Sequence, residues 1–359
     1  MSLHPPSWWQ DDTGHILPKY LNPLGQIYGQ AVKWRFRYTK PYQSKLPVIC
    51  IGNFTLGGTG KTPLAIKFAH LLQDLGWNPS FLSRGYKGKY AGPLLVDLNE
   101  HNAKDVGDEP LLLSQHAPAI ISKNRIEGVW LIEQRSSNMI IMDDGFQNPT
   151  VQKNLSFIAI DSATALGNGR IFPAGPLRAP LEFQLPNASA IIITGSNTAE
   201  KSNIKDLLRK EYNFKKPILR GQLTASEDTS WLKEKPILAY AGIGRPEKLF
   251  QSLENAGGKV IRRNPFPDHH NFTSKDAEHL TKIALADDLQ LVTTEKDHVR
   301  IDEHSNHQLR ALKRMSRPFP IEFTFEKNDE EKLIELIKEH YPKPISLEAL
   351  KEKTKTDHD

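Results

Sequence analysis

The segment from Leu46 to Leu72, "LPVICIGNFTLGGTGKTPLAIKFAHLL", constrains the fold more than any other. An apolar run of strand length enters a glycine-rich loop, and Leu64, Ala65, Phe68, Leu71 and Leu72 then recur at the spacing of one helix face. A further strand is predicted at "PSFLSRG". Short apolar runs at "APAIISK", "NMIIMDDGF", "LSFIAID" and "ASAIIITG" have strand length, and helix-like stretches such as "DEPLLLSQH" and "NRIEGVWLIEQR" separate most of them. Such alternation predicts an α/β fold like that of the phosphate-loop NTPases, a mainly parallel sheet with helices on both faces.

Beyond "KSNIKDLLRKEYNFKKP" the pattern restarts with "PILAYAGIG", a helix from about Pro246, "KVIRRNPF", a helix from about Ser274 and "LQLVTTEKD", a second and smaller α/β unit. The expected division is an N-terminal segment 1–45, a phosphate-loop domain 46–215, a linker 216–235, a smaller domain 236–341 and a charged tail 342–359 that frays. "KPILRGQLTA" and "FPIEFTFE" are candidates to pair as a ribbon between the units.

With 359 residues, 38% of them hydrophobic, the chain can bury a sizeable core. One cysteine, Cys50, excludes an internal disulfide and favours a reducing compartment. The start "MSLHPPSWWQDD" lacks a leader pattern, and no apolar run approaches the ~18 residues of a spanning helix. A net charge of +5 points weakly to an anionic partner, with no sign of a nucleic-acid or obligate protein partner.

The loop between strand and helix has the chemistry of a phosphate cradle. Thr55, Leu56, Gly57, Gly58, Thr59, Gly60, Lys61 and Thr62 make up the candidate ATP-binding loop, in which backbone N–H groups from Gly57 to Thr62 can face the triphosphate, Lys61 can reach the β- and γ-oxygens, and the Thr62 hydroxyl can reach Mg²⁺. Thr55 stands where GxxxxGK[ST] has its first glycine. "GGTGKT" also resembles the loop of partition ATPases, but their lysine before the two glycines is Leu56 here, which argues against that family. Asp143 and Asp144 end an apolar strand, where an acid that holds Mg²⁺ belongs. Asp108 and Glu109 start a helix, and from sequence alone capping competes with catalysis. Asp268, His269 and His270 lie between aromatic residues, fit either for proton transfer or for a satisfied turn, and make a poor zinc signature.

"GNFTLGGTGKTP", "LSRGYKGK", "VGDEP", "DDGFQN", "AGPLR", "AGIGRPEKLF", "FPDHHNF" and "TTEKDHVR" occur in an order that resembles the tetraacyldisaccharide 4′-kinase family, from about Pro5 to about Tyr341. The resemblance implies transfer of the ATP γ-phosphoryl group to the 4′-hydroxyl of an acylated glucosamine disaccharide 1-phosphate in lipid A biosynthesis. It makes Lys61 and Thr62 contacts for phosphate and Mg²⁺, Asp108 the base candidate, His269 its partner, and Asp143 and Asp144 metal or phosphate-network residues. Arg178 becomes a phosphate contact. Arg84 is a weaker candidate, a buried structural arginine being the alternative. Where the family often reads GPLRE, Ala179 replaces the glutamate, and Glu182 is the nearby residue that would have to compensate.

From Leu21 to Tyr42, Leu24, Ile27, Tyr28, Val32, Trp34, Phe36 and Tyr38 mix with Lys33, Arg35, Arg37 and Lys40. That composition suits either a helix on an anionic lipid surface or a helix packed on the core with a basic outer side. The acylated acceptor favours the first, a peripheral protein on the cytoplasmic face of the bacterial inner membrane, with Trp8 and Trp9 as further anchor candidates. A soluble sugar or nucleotide kinase and a membrane-associated switch ATPase are the competing functions.

Overall fold

The computed structural model describes residues 6–11, 13–195, 202–225 and 228–344; the charged end 347–359 lies outside the described residues. Helix α1 (Leu17–Tyr38) precedes strand β1 (Val48–Gly52) and helix α2 (Lys61–Asp74). There follow β2 (Pro79–Ser83), β3 (Leu94–Leu95), α3 (Ala103–Val106), α4 (Asp108–Ser114), β4 (Ala119–Ile121), α5 (Arg125–Glu133), β5 (Met139–Asp143) and β6 (Leu155–Asp161). Next come α6 (Leu181–Gln184), β7 (Ala190–Thr194), α7 (Ser202–Lys210) and β8 (Ile218–Ala225). The remainder forms β9 (Ile237–Ala241), α8 (Glu247–Asn255), β10 (Val260–Pro265), α9 (Ser274–Ala286), β11 (Gln290–Thr294), α10 (Glu295–Arg300), α11 (His307–Met315), β12 (Ser316–Phe319), β13 (Ile321–Phe325) and α12 (Lys327–His340).

Nine strands form one sheet in the order β13-β8-β7-β6-β1-β5-β2-β4-β3, parallel except at its two ends, where β13 runs against β8 and β3 against β4. Strand β1 lies between β5 and β6 and is buried at every position, because alternate residues enter different cores. Ile49 and Ile51 join Leu64 and Phe68 of α2, Leu113 of α4 and Leu333 of α12. Val48 and Cys50 join Val129 of α5, Leu181 of α6 and Leu208 of α7 on the other side. The second sheet, β10-β9-β11-β12, is wholly parallel and is covered by α9 and α11 on one face and α8 on the other.

The stretch expected as a linker, 216–235, is different. It carries β8, which pairs with β7 inside the larger sheet, and the expected ribbon partner β13 pairs with β8 to extend that same sheet. Residues 321–340, expected in the smaller unit, thus return to the larger one, with Phe323, Phe325, Leu333 and Ile337 in its core. The smaller unit is an insertion between two neighbouring strands.

Among the described residues no helix is long and apolar enough to cross a membrane. Helix α1 lies on the loop 170–180 with Pro18, Gly25 and Gly29 inward. A Cβ at Gly25 would stand 2.7 Å from the Ile171 carbonyl oxygen, so this close approach requires glycine. Of the mixed aromatic set, Phe36 packs edge-on against Phe183, whereas Trp34 is 65% and Ile27 67% exposed. Leu17, Tyr20, Leu24, Ile27, Trp34 and Tyr38 form one exposed stripe along a helix with no acidic residue. Trp9 is half-buried, donates to the Pro173 carbonyl and meets Phe172, so it belongs to an arm packed on the loop 170–180.

Candidate active site

The carboxyl ends of both sheets converge. Strand β1 leads into the glycine-rich loop, β5 ends at Asp143, β6 ends at Asp161, and across from them stand the residues that follow β9, β10 and β11.

The loop itself is braced from outside. Leu56 N–H donates to the Pro176 carbonyl, Arg178 N–H to that of Phe54 and Arg178 Nε to that of Thr55. Thr55 is therefore part of the brace, buried and bridged to Leu177. Among the described residues the N–H groups of Gly57 through Gly60 have no protein acceptor, and a Cβ at Gly57 or Gly58 would meet nothing within 4 Å. That combination is a cradle of free donors at a helix N-terminus, open to solvent. The buried Thr59 Oγ1 and Asn53 Oδ1 also lack partners.

Lys61 Nζ lies 3.8 Å from Asp144 Oδ1, and Arg178 grips both oxygens of Asp144 at 2.8 and 3.1 Å while reaching Gln147 at 3.2 Å. Burial opposes charge on Asp144, but Lys61 and Arg178 outweigh it and lower its carboxyl. Asp143 is different. It is buried, its Oδ1 has no partner, and burial together with the charges of Glu109 and Asp144 pushes its carboxyl up to about 7. Ala179 is fully buried, and Glu182 is exposed with its charge acting on Tyr212. Arg84 is exposed rather than buried; the buried arginine nearby is Arg125, which donates to the carbonyls of Ser83 and Ser122.

Asp108 is the first residue of α4, whose N-cap is Gly107. One oxygen accepts from the Glu109 N–H at 3.0 Å. The other faces the smaller unit and accepts from His269 Nδ1 at 3.0 Å, Arg300 Nη2 at 2.5 Å and Arg300 Nε at 3.2 Å, with Lys296 Nζ at 3.9 Å. Burial again opposes the charge, but the His269 hydrogen bond and the Lys296 and Arg300 charges hold this carboxyl well below the usual range. Lys296 also pairs with Glu109 at 2.9 Å, so a chain of charges runs from Asp143 through Glu109 and Lys296 to Asp108. His270, by contrast, bonds Asp276 at 3.0 Å and stacks on Phe266, a satisfied turn.

The sequence model of the tetraacyldisaccharide-1-P 4′-kinase (LpxK) family matches residues 17–341. The chain belongs to this family. It is 45% identical over 299 residues to the tetraacyldisaccharide 4′-kinase of Methylobacterium nodulans, covering 83% of this chain and 87% of that one, and 43% identical over 297 residues to that of Rhodopseudomonas palustris, covering 83% and 84%. A crystal structure of the Aquifex aeolicus family member in complex with ATP aligns at a TM-score of 0.71 and 26% identity, over 91% of this chain and all of that one.

Several residues that the structure brings to this cleft have no role assigned from sequence. Lys296 and Arg300 sit in "TTEKDHVR" and Gln147 in "DDGFQN", motifs that marked the family without showing what each side chain touches. Arg245 of "AGIGRPEKLF" grips Asp161, with Lys248 at 3.2 Å from the same oxygen, and makes a second seam between the units.

Proposed function

We propose that this 4′-kinase transfers the ATP γ-phosphoryl group to the 4′-hydroxyl of an acylated glucosamine disaccharide 1-phosphate with His269 as the proton acceptor, and that Asp108 holds His269 in place. The observation that carries the assignment is the Asp108 carboxylate. One oxygen is shared by His269, Arg300 and Lys296, so Asp108 is a poor base and a firm anchor. With Nδ1–H donating to Asp108, His269 presents Nε2 to the acceptor hydroxyl, and an imidazole suits proton transfer near neutral pH. This reverses the order expected from sequence, in which Asp108 was the base and His269 its partner.

The free N–H groups of Gly57–Gly60 and the Lys61 ammonium would hold the transferring phosphates, and they need no rearrangement to do so. The unpartnered Asp143 Oδ1 and the Thr62 hydroxyl fit Mg²⁺ and would hold it, and the ion would supply positive charge against that of the transferring phosphate. Asp144 is committed to Arg178 and Lys61, which makes it an orienting residue for both cations. Because Asp108 and His269 come from different units, the contact between the units completes the pair.

Incubation with γ-labelled ATP and the acylated disaccharide 1-phosphate tests the reading. Label on the lipid is expected; label on a soluble sugar, or phosphate release without an acceptor, would replace it. His269→Ala and Asp108→Ala should each slow the chemical step, and the double variant should be little worse than the poorer single. Losses that multiply would separate the pair.

The exposed stripe of α1 with its basic flanks supports peripheral attachment to the anionic cytoplasmic face of the inner membrane. Trp34→Ser should weaken vesicle co-sedimentation at every salt concentration while the fold stays intact, whereas Phe36→Ser should act on stability through Phe183. Unchanged sedimentation of a folded Trp34→Ser protein would move the anchor elsewhere.

A further inference from the structure

Arg178 carries five N–H donors, and the protein takes up four of them. Nε donates to the Thr55 carbonyl at 3.1 Å, Nη2 to Asp144 Oδ2 at 3.1 Å, and Nη1 to both Asp144 Oδ1 at 2.8 Å and Gln147 Oε1 at 3.2 Å. Among the described residues the last N–H, on Nη2, has no protein acceptor, and the side chain is 18% exposed. One donor is therefore left for phosphate, and its direction depends on how firmly the fork is held. Asp144 is half-buried, so its grip on the guanidinium is open to water. The Gln147 contact is backed by the interior.

Gln147 is oriented by a second amide, Gln184. Gln147 Nε2 donates to the Asn53 carbonyl at 2.8 Å and to Gln184 Oε1 at 2.9 Å, and Gln184 Nε2 donates to the Ala179 carbonyl at 2.7 Å. The Ala179 carbonyl can only accept, so Gln184 must turn its NH₂ group there and its oxygen to Gln147. Gln147 must then turn its NH₂ group inward and its oxygen to Arg178. Reversing either amide would set oxygen against oxygen. Gln184 is 2% exposed, and Ala179 and Asn53 are fully buried, so water would not replace a broken link. Neither Ala179, where the family often has glutamate, nor exposed Glu182 gives Arg178 a side-chain partner. Gln184 ends α6, and the ring of the preceding Phe183 packs on Phe36 of α1 with centroids 5.3 Å apart, which pins the backbone that carries the amide.

We propose that Gln184 is a positioning residue for phosphoryl transfer: acting through Gln147, it aims the Arg178 guanidinium at the transferring phosphate. Gln184 works from behind the site and needs no contact with substrate. The assignment rests on the 4′-kinase reading, with Arg178 as a phosphate contact.

Initial rates with γ-labelled ATP and the tetraacyldisaccharide 1-phosphate in neutral detergent micelles test it, read as kcat and as KM for ATP. Gln184→Met is close in shape and lacks the amide. It should lower kcat about tenfold, the effect of one oriented hydrogen bond, and leave KM for ATP within about twofold, because the loop N–H groups and Lys61 still hold the nucleotide. Gln184→Glu keeps an acceptor for Gln147 and should lose no more than about threefold. Beside Arg178→Met, where no guanidinium is left to aim, Gln184→Met should have almost no further effect on kcat. A purely structural glutamine would lower the unfolding temperature but leave kcat of the folded protein unchanged, and that result overturns the proposal. So does a loss that multiplies fully with that of Arg178→Met, or a Gln184→Glu protein as slow as Gln184→Met. If Gln184→Met does not fold, Gln147→Met carries the same test, with the same loss and the same silence beside Arg178→Met, since it takes the acceptor from Arg178 and leaves Gln184 on Ala179. An Arg178→Met enzyme with normal kcat removes the phosphate contact, and an unaltered enzyme that labels no lipid removes the kinase reading; the proposal falls with either.

Discussion

Asp108 and Asp143 are both buried carboxylates tied to the same chain of charges, yet their surroundings push them in opposite directions. Asp108 lies in the seam between the units, where its oxygens take donors from Glu109, His269 and Arg300 with Lys296 close by. Asp143 lies at the end of β5, where one oxygen has no partner and Glu109 and Asp144 add negative charge. Burial is common to both, so burial does not decide their state. The number of cations that reach the oxygens does. A carboxylate with donors on both oxygens is a fixed point for its neighbours, and one with a free oxygen is prepared for a cation that arrives with substrate.

The largest test of this contrast is Asp108→Ala. It takes the shared carboxylate from buried Arg300 and half-buried Lys296, leaving the one only Asp297 and the other only Glu109, and should cost about 3 kcal/mol of stability as well as activity, since breaking a buried pair is costly. Thermal unfolding of Asp108→Ala beside Asp143→Ala checks it, and an equal loss in both would erase the distinction between seam and loop. Lys61→Ala should lower kcat roughly a hundredfold, with little change in unfolding, because Lys61 borders the open cradle and Arg178 still holds Asp144. Near-normal turnover would remove Lys61 from the phosphate contacts.

The pH dependence of stability without nucleotide or metal should show two opposite slopes. Asp143 is raised in the fold to about 7 from an unfolded value of about 4, so the folded state binds the extra proton and stability falls as pH rises through that window. Asp143→Asn should flatten this slope. Asp108 is lowered in the fold, so its contribution is full above about pH 4 and is lost as pH falls below it. Asp144 and Asp161 are lowered too, so part of the acid-side loss remains in Asp108→Asn; a loss as large as in the unaltered protein would contradict the assignment. The smallest effect is expected at Asp161, whose partners Arg245 and Lys248 are 41% and 54% exposed. Asp161→Asn should cost about 1 kcal/mol or less and less still at high salt, because exposed cations are screened.

Much of the larger sheet and most of the smaller one are legible in the sequence because their strands are apolar runs between helical periods. Strand β8 is not. "ILRGQLTA" mixes polar with apolar residues because, one strand in from the sheet's end, its faces are only partly covered, and its composition therefore reads as a connector. The return of β13 and α12 is hidden for another reason: pairing across the inserted unit leaves no local mark. At the site, the phosphate loop is legible because neighbouring residues build it. The seam is not, since nothing in "TTEKDHVR" tells that Lys296 and Arg300 cross to Asp108 while Asp297 stays inside its own unit on Arg300 and the Gly242 N–H. Adjacent histidines show the same limit, with His269 on Asp108 and His270 on Asp276.

The antiparallel pairing of β8 with β13 joins Leu223 to Phe323 across the whole inserted unit. During synthesis, the nascent chain can lay down β1 to β8 but cannot seal that end until residues 321–325 leave the ribosome. Until then, the core positions later filled by Phe323, Phe325, Leu333 and Ile337 stay open to water. The inserted unit, which has its own cores and wholly parallel sheet, forms a compact body in the interval and shortens the effective loop that must close. Truncation just before Ile321 should therefore leave a chain that is caught by chaperones, and extension by the last two elements should release it.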